Sequence, residues 1–203
     1  MPPPDERALP EVPWNAAALR LLDDTYVFAA TGPRRHEEWA YDVHALLHRA
    51  VDDPRGWLRL DPDRSNDARH TLPSYPFEPP DPAALAALLH PLEPAAAAGA
   101  LAVMAEEWQA EPAPVRTRPD RAALLADART LLGRYGPGVR CWTNARAAAG
   151  NPAADLLAAG LRGTSSHRFL TTAYLRGLDL GDELGVVAVG DDEVGVFWAI
   201  EGY

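Results

Sequence analysis

The chain has 203 residues, of which 20 are proline and 19 are arginine, with no lysine and a formal net charge of −10 at pH 7. A single cysteine, Cys141, excludes an intrachain disulfide and indicates a reducing, cytoplasmic compartment. The acidic balance speaks against a nucleic-acid-binding surface, and no apolar run is long enough to span a membrane, so we expect neither partner.

The distribution of proline predicts how the chain is organised. Residues 1–13 carry five prolines and are predicted to form an extended N-terminal arm. Residues 14–203 are predicted to form a single domain, with a long proline-rich loop at 61–82. If there are two domains instead, the boundary lies near 79–82 or 112–119. The exclusive use of arginine, with much alanine, proline and glycine, is typical of a GC-rich bacterial coding sequence.

The pattern of apolar residues predicts an alternation of helices and strands along the chain. Asn15 is predicted to cap a first helix, and the strand at 25–30 leads through a Gly-Pro turn into a strongly amphipathic helix. The ambiguous segment 167–175 is interpreted as a strand because aromatic and β-branched residues cluster there. The predicted helices span residues 16–24, 34–51, 81–90, 93–109, 119–135 and 152–161, and the other predicted strands span 57–60 and 139–143.

The last twenty residues predict a β-hairpin, LGVVAVGDDEVGVFWAIEGY. Apolar side chains alternate along its second strand, so one face is predicted to be buried and the other at least partly covered. Phe197 belongs to the second face, and the first consists of Val194, Val196, Trp198 and Ile200. The fold class expected is α+β, a mainly antiparallel sheet with a C-terminal β-hairpin, packed by several α-helices.

The hairpin also concentrates negative charge, since residues 177–203 contain seven acids and no arginine. Asp191, Asp192 and Glu193 at the turn are predicted to attract a basic protein partner, with Trp198 and Tyr203 as aromatic anchors if their rings are exposed. The alternative interpretation is equally open: acids are ordinary turn residues, and charge at a sheet edge blocks aggregation.

Two further constellations are weaker candidates for sites. His44 and His48 are one helical turn apart, so both rings lie on one face and can chelate a divalent metal, although two solvated histidines are the more ordinary interpretation. Arg34 and Arg35 open the predicted helix, where free amides and two guanidinium groups can hold an anion. Pairing of these arginines with neighbouring glutamates is the alternative.

Nucleophilic catalysis finds little support, because neither Cys141 nor the Ser165-Ser166-His167 run has the sequence setting of a known nucleophile. Three classes of function therefore remain. The first is a small acidic protein-binding module, such as an inhibitor or immunity-type protein that neutralises a basic partner. The second is a small-molecule enzyme that uses the histidine pair or the arginine pair, with no cofactor beyond a divalent metal. The third is an accessory subunit that docks through the loop at 61–82.

Overall fold

The computed structural model describes residues 11–22, 27–51, 77–106, 114–164, 174–175 and 178–202. Its α-helices are α1 (Glu11–Leu22), α2 (Trp39–Leu47), α3 (Pro82–Leu88), α4 (Pro94–Val103), α5 (Arg121–Gly133) and α6 (Leu156–Thr164). Its strands are β1 (Val27–Pro33), β2 (His90–Leu92), β3 (Arg140–Thr143), β4 (Tyr174–Leu175), β5 (Leu178–Val189) and β6 (Glu193–Gly202). Short 3₁₀ turns occur at Val115–Thr117 and Arg146–Ala149.

The strands form one antiparallel sheet in the order β1-β6-β5-β3-β2, and β4 pairs with the first residues of β5. The C-terminal hairpin of β5 and β6 lies in the middle of this order, so it carries the ladders on which the other strands assemble. The α+β class, the antiparallel sheet and the C-terminal hairpin are therefore confirmed.

Both faces of the central hairpin are buried, in agreement with the alternation in its sequence. Val194, Val196, Trp198 and Ile200 belong to one apolar cluster with α2 and α3. Phe197 belongs to the other, with α1, α4, α5 and α6. The sheet is thus sandwiched between two helical layers, which explains why the polar residues of the hairpin concentrate at its ends.

Local sequence signals explain where several helices begin and end. Asp81 caps α3, since its side chain accepts hydrogen bonds from the amides of Ala83 (3.0 Å) and Ala84 (3.2 Å), and Pro82 follows at the first helical position. Gly136 has a φ of 82° just after α5, a conformation that favours glycine at a helix end. The alanine-rich α4 is buried along most of its length, because small side chains allow α5 and α6 to approach it closely.

Other boundaries differ from the prediction. The helix expected at 34–51 begins only at Trp39, because the buried carboxylate of Asp42 accepts hydrogen bonds from the amides of Arg35 and His36 and holds that segment in a turn. Asn15 lies inside α1 and does not cap it. The three-residue strand β2 was not predicted, because its proline argues against a strand. The predicted strand at 57–60 and most of the loop at 61–82 lie outside the described residues.

No helix in the described parts of the chain is long and apolar enough to cross a membrane.

Candidate binding surface at the hairpin tip

The turn between β5 and β6, which we call the hairpin tip (Gly190–Glu193), exposes two of the three predicted acids. The amide of Gly190 donates to the carbonyl of Glu193 at 2.9 Å, so Asp191 and Asp192 form a two-residue turn. Both aspartates are exposed, whereas Gly190 is buried. A side chain at Gly190 would collide with the backbone carbonyl of Tyr135, so glycine is required for the close approach of the segment after α5.

Arg34 fixes the hairpin tip from the side of β1. Its amide donates to the carbonyl of Asp192 at 2.8 Å, and its guanidinium donates to the carbonyl of Gly190 at 3.0 Å and to that of Glu37 at 3.1 Å. The guanidinium therefore binds the protein's own backbone. The amides of Arg35 and His36 are likewise occupied by Asp42, so these two amides are not available to an anion. The Arg35 side chain is exposed.

Arg134 fixes the hairpin tip from the side of α5. Its guanidinium makes a bidentate ion pair with Glu193, with both N–O distances at 2.7 Å. The same guanidinium lies 5.5 Å from the ring centroid of Trp14. Glu193 is consequently neutralised within the chain, and the negative charge left for a partner resides on Asp191 and Asp192.

A cavity of about 270 Å³ opens beside the exposed aspartates. Its walls are the hairpin tip and the segment Arg134–Gly136 at the end of α5. Tyr135, one of the lining residues, is hydrogen bonded through its hydroxyl group to that of Thr31 at 2.9 Å. The lining carries three acids and one arginine, so its net charge is negative and can attract the cationic end of an arginine or lysine side chain.

One of the two aromatic anchors expected beside the acids, Trp198, does not reach this surface. Trp198 is fully buried (0% exposed), and its ring packs over Gly185, the residue opposite it on β5. Its indole N–H donates to the Glu183 carboxylate at 2.9 Å. The prediction that Trp198 is a surface anchor is wrong, because period-two alternation places it on the face under α2 and α3. Tyr203 lies outside the described residues.

Glu183 lowers the number of acids that can act at the surface. It was counted among the seven acids of the C-terminal region, yet its side chain is fully buried. Asn144 holds the backbone beside it: its amide nitrogen donates to the carbonyl of Glu183 at 3.3 Å, and its oxygen accepts from the amide of Gly185 at 2.8 Å. These bonds support the irregular stretch of β5, where the register with β6 shifts. This acid is a structural residue and not part of a charged patch.

The predicted histidine pair is adjacent in space. The ring centroids of His44 and His48 are 4.3 Å apart. Burial lowers the pKa of His44, the neighbouring His48 lowers it further, and Asp81 opposes both effects. Among the described residues no group of three or more His, Cys, Asp or Glu side chains is arranged to hold a metal ion. His70, a residue of the loop at 61–82 that could supply a further ligand, lies outside the described residues.

A carboxylate–histidine pair was missed at the sequence level. Asp42 is buried, and its Oδ1 lies 2.6 Å from Nδ1 of His36, whose side chain is 53% exposed. Since a carboxylate can only accept, Nδ1 of His36 is the donor in this contact. The ring also stacks on Tyr41 at 5.5 Å. The only signal for this pair in the sequence is an aspartate that lies one turn inside a helix and shortly after a histidine. This pattern is common in capped turns.

Cys141 is buried, and desolvation raises the pKa of its thiol to about 12. A thiol of this kind remains protonated at neutral pH and is a poor nucleophile. The burial of Cys141 thus agrees with the lack of a nucleophile's sequence setting around it. The Ser165-Ser166-His167 run lies outside the described residues.

Comparisons with protein-family models, with curated proteins and with solved structures found no match to this chain.

Proposed function

We propose that the chain is a small acidic, cytoplasmic protein-binding module that captures a basic protein partner through the hairpin tip, in the manner of an inhibitor or immunity-type protein. The observation that carries the proposal is the exposure of Asp191 and Asp192 on a turn whose backbone is held by Arg34 and whose neighbour Glu193 is held by Arg134.

Fixing the turn before binding favours association. A partner that docks on a preformed turn does not have to order that turn, so less conformational entropy is lost. Two exposed carboxylates accelerate the encounter with a positively charged partner. The adjacent cavity can hold one basic side chain of the partner. A side chain held there orients the partner, in addition to the attraction between the charges.

Site-specific cross-linking in cells of the source organism tests the proposal. A photoreactive amino acid replaces Pro137, which is exposed and follows Gly136 in the wall of the cavity, and in a control protein it replaces Glu78, which is also exposed. We expect a basic protein to be cross-linked from position 137 and not from position 78. Cross-linking of that protein from position 78 alone, or no protein from position 137, would overturn the proposal.

The adjacency of His44 and His48 favours a second candidate, a metal-assisted enzyme acting on a small molecule. The lowered pKa of His44 leaves its imidazole neutral near pH 7, the form that binds a metal. Elemental analysis of the purified protein, compared with a His44→Ala/His48→Ala variant, tests this candidate. Bound zinc or another divalent metal that is lost in the variant supports it, and equal metal content in both proteins contradicts it.

A further inference from the structure

A second cavity, which we call the helical groove, lies between α4, α5 and α6 and has a volume of about 280 Å³. Its floor is apolar and consists of Ala96, Gly99, Leu125 and Leu157. Gly99 widens the groove, because a Cβ atom at this position would lie 3.6 Å from the Cβ of Leu157. The floor therefore offers apolar contact to an aliphatic group.

Opposite charges line the same groove without pairing. Glu93 and Asp155 lie at the N-terminal ends of α4 and α6, and Arg129 projects from α5. Within the described parts of the chain, Arg129 and Glu93 form no side-chain hydrogen bond or ion pair, with each other or with another residue. Asp155 uses Oδ1 to accept from the amide of Ala158 at 2.9 Å. The groove thus presents one cationic group and two anionic groups to a ligand.

We propose that the helical groove binds a free aliphatic α-amino acid. Arg129 receives the α-carboxylate, since a guanidinium matches a carboxylate in shape as well as charge. Glu93 and Asp155 receive the α-ammonium group, and the aliphatic side chain lies on the floor at Gly99. The volume is close to the lower end of ligand pockets, roughly 300 Å³, which fits a ligand of this size.

Calorimetric titration with L-leucine tests the proposal directly. We expect saturable binding to the full-length protein, weakened about tenfold or more by Arg129→Gln, because a charged hydrogen bond is lost. Arg121→Gln is the matched control, since Arg121 is exposed on the same helix but does not line the groove. No saturable binding to the native protein, or equal affinity in Arg129→Gln, would overturn the proposal.

Two leucine analogues separate a zwitterion site from a site for a single charge. 4-Methylpentanoate lacks the ammonium group and 3-methylbutylamine lacks the carboxylate, so we expect each to bind at least about tenfold more weakly than leucine. If 4-methylpentanoate binds as tightly as leucine, the groove recognises the carboxylate alone. That result would contradict recognition of a zwitterion.

Substitution at Gly99 tests where the aliphatic side chain of the bound amino acid lies, with little risk to folding. Gly99→Ala adds a methyl group at ordinary contact distance and removes a glycine from a helix interior, so the protein should fold at least as well. We expect weaker leucine binding together with an unchanged or higher melting temperature. Unchanged affinity would contradict a ligand seated on the floor.

Asp191→Asn/Asp192→Asn should leave leucine binding unaltered, which separates this site from the hairpin tip.

Discussion

Glu106 shows how one buried carboxylate joins three segments of the chain. It follows α4, and its two oxygens accept from the amide of Val115 at 2.7 Å and from that of Leu161 at 2.9 Å. Leu161 follows Gly160, whose φ of 72° interrupts α6, so the carboxylate caps the second half of that helix as well as a 3₁₀ turn. An acid in this role belongs to the architecture and not to a binding surface.

Replacing Glu106 should therefore destabilise the protein. In Glu106→Gln one oxygen remains as an acceptor, but the new amide group faces a backbone N–H that it cannot accept from. We expect a loss of about 1–3 kcal/mol in the free energy of unfolding, measured by urea denaturation. Glu78→Gln is the surface control and should change it by less than about 0.5 kcal/mol. Equal stability of the two variants would show that the buried bonds contribute nothing.

His44 makes stability depend on pH in a definite direction. Its pKa in the folded protein is lowered below the ordinary 6.5 by burial and by His48, so the unfolded chain takes up a proton more readily. The stability that His44 contributes through its lowered pKa is fully present above pH 6.5. It is lost as the pH falls through the pKa of His44 in the folded protein. We expect unfolding measurements on either side of pH 6.5 to show a weaker pH dependence for His44→Gln than for the native protein. An equal or steeper dependence would contradict this assignment.

At the scale of elements, periodic patterns were predictable and long-range polar contacts were not. The alternation in β6 predicts its two buried faces because side chains of a strand alternate between the faces of a sheet. The bond from Arg34 to Gly190 joins residues 156 positions apart, and that from Arg134 to Glu193 joins residues 59 apart. No periodicity encodes such pairs, so Arg34 was interpreted as a free anion ligand and Glu193 as a free acid.

The turn before α2 offers a test of this element-level arrangement. Asp42 holds the amides of Arg35 and His36 and the ring of His36, and the same turn positions Arg34 against the hairpin tip. Asp42→Ala should lower the free energy of unfolding by about 1–3 kcal/mol, because buried or partly buried donors lose their acceptor. It should also increase amide hydrogen exchange at residues 34–36. Unchanged exchange there would show that the carboxylate does not hold the turn.

At the scale of the whole molecule, the sequence predicted the class of fold correctly. It overestimated the number of acidic side chains that are available at the surface of the C-terminal region, since Glu183 is buried and Glu193 is paired. Helices, strands and the central hairpin follow from apolar spacing and from glycine and proline positions. Burial of Glu183 and Trp198 and pairing of Glu193 depend on how the sheet and helices assemble. Of the three acids predicted to meet a partner at the turn, Asp191 and Asp192 are exposed and Glu193 is paired with Arg134.

The central claim is tested most directly by the rate constant for association with the basic partner that cross-linking identifies. This rate constant is measured at low and at high salt. Asparagine is tolerated in turns, so Asp191→Asn/Asp192→Asn should fold normally. Glu78→Gln/Glu93→Gln removes the same charge from exposed positions elsewhere. We predict that the tip variant associates roughly tenfold more slowly at low salt and loses most of the salt dependence, while the control retains both. Equal rates for the two variants would contradict binding through the hairpin tip.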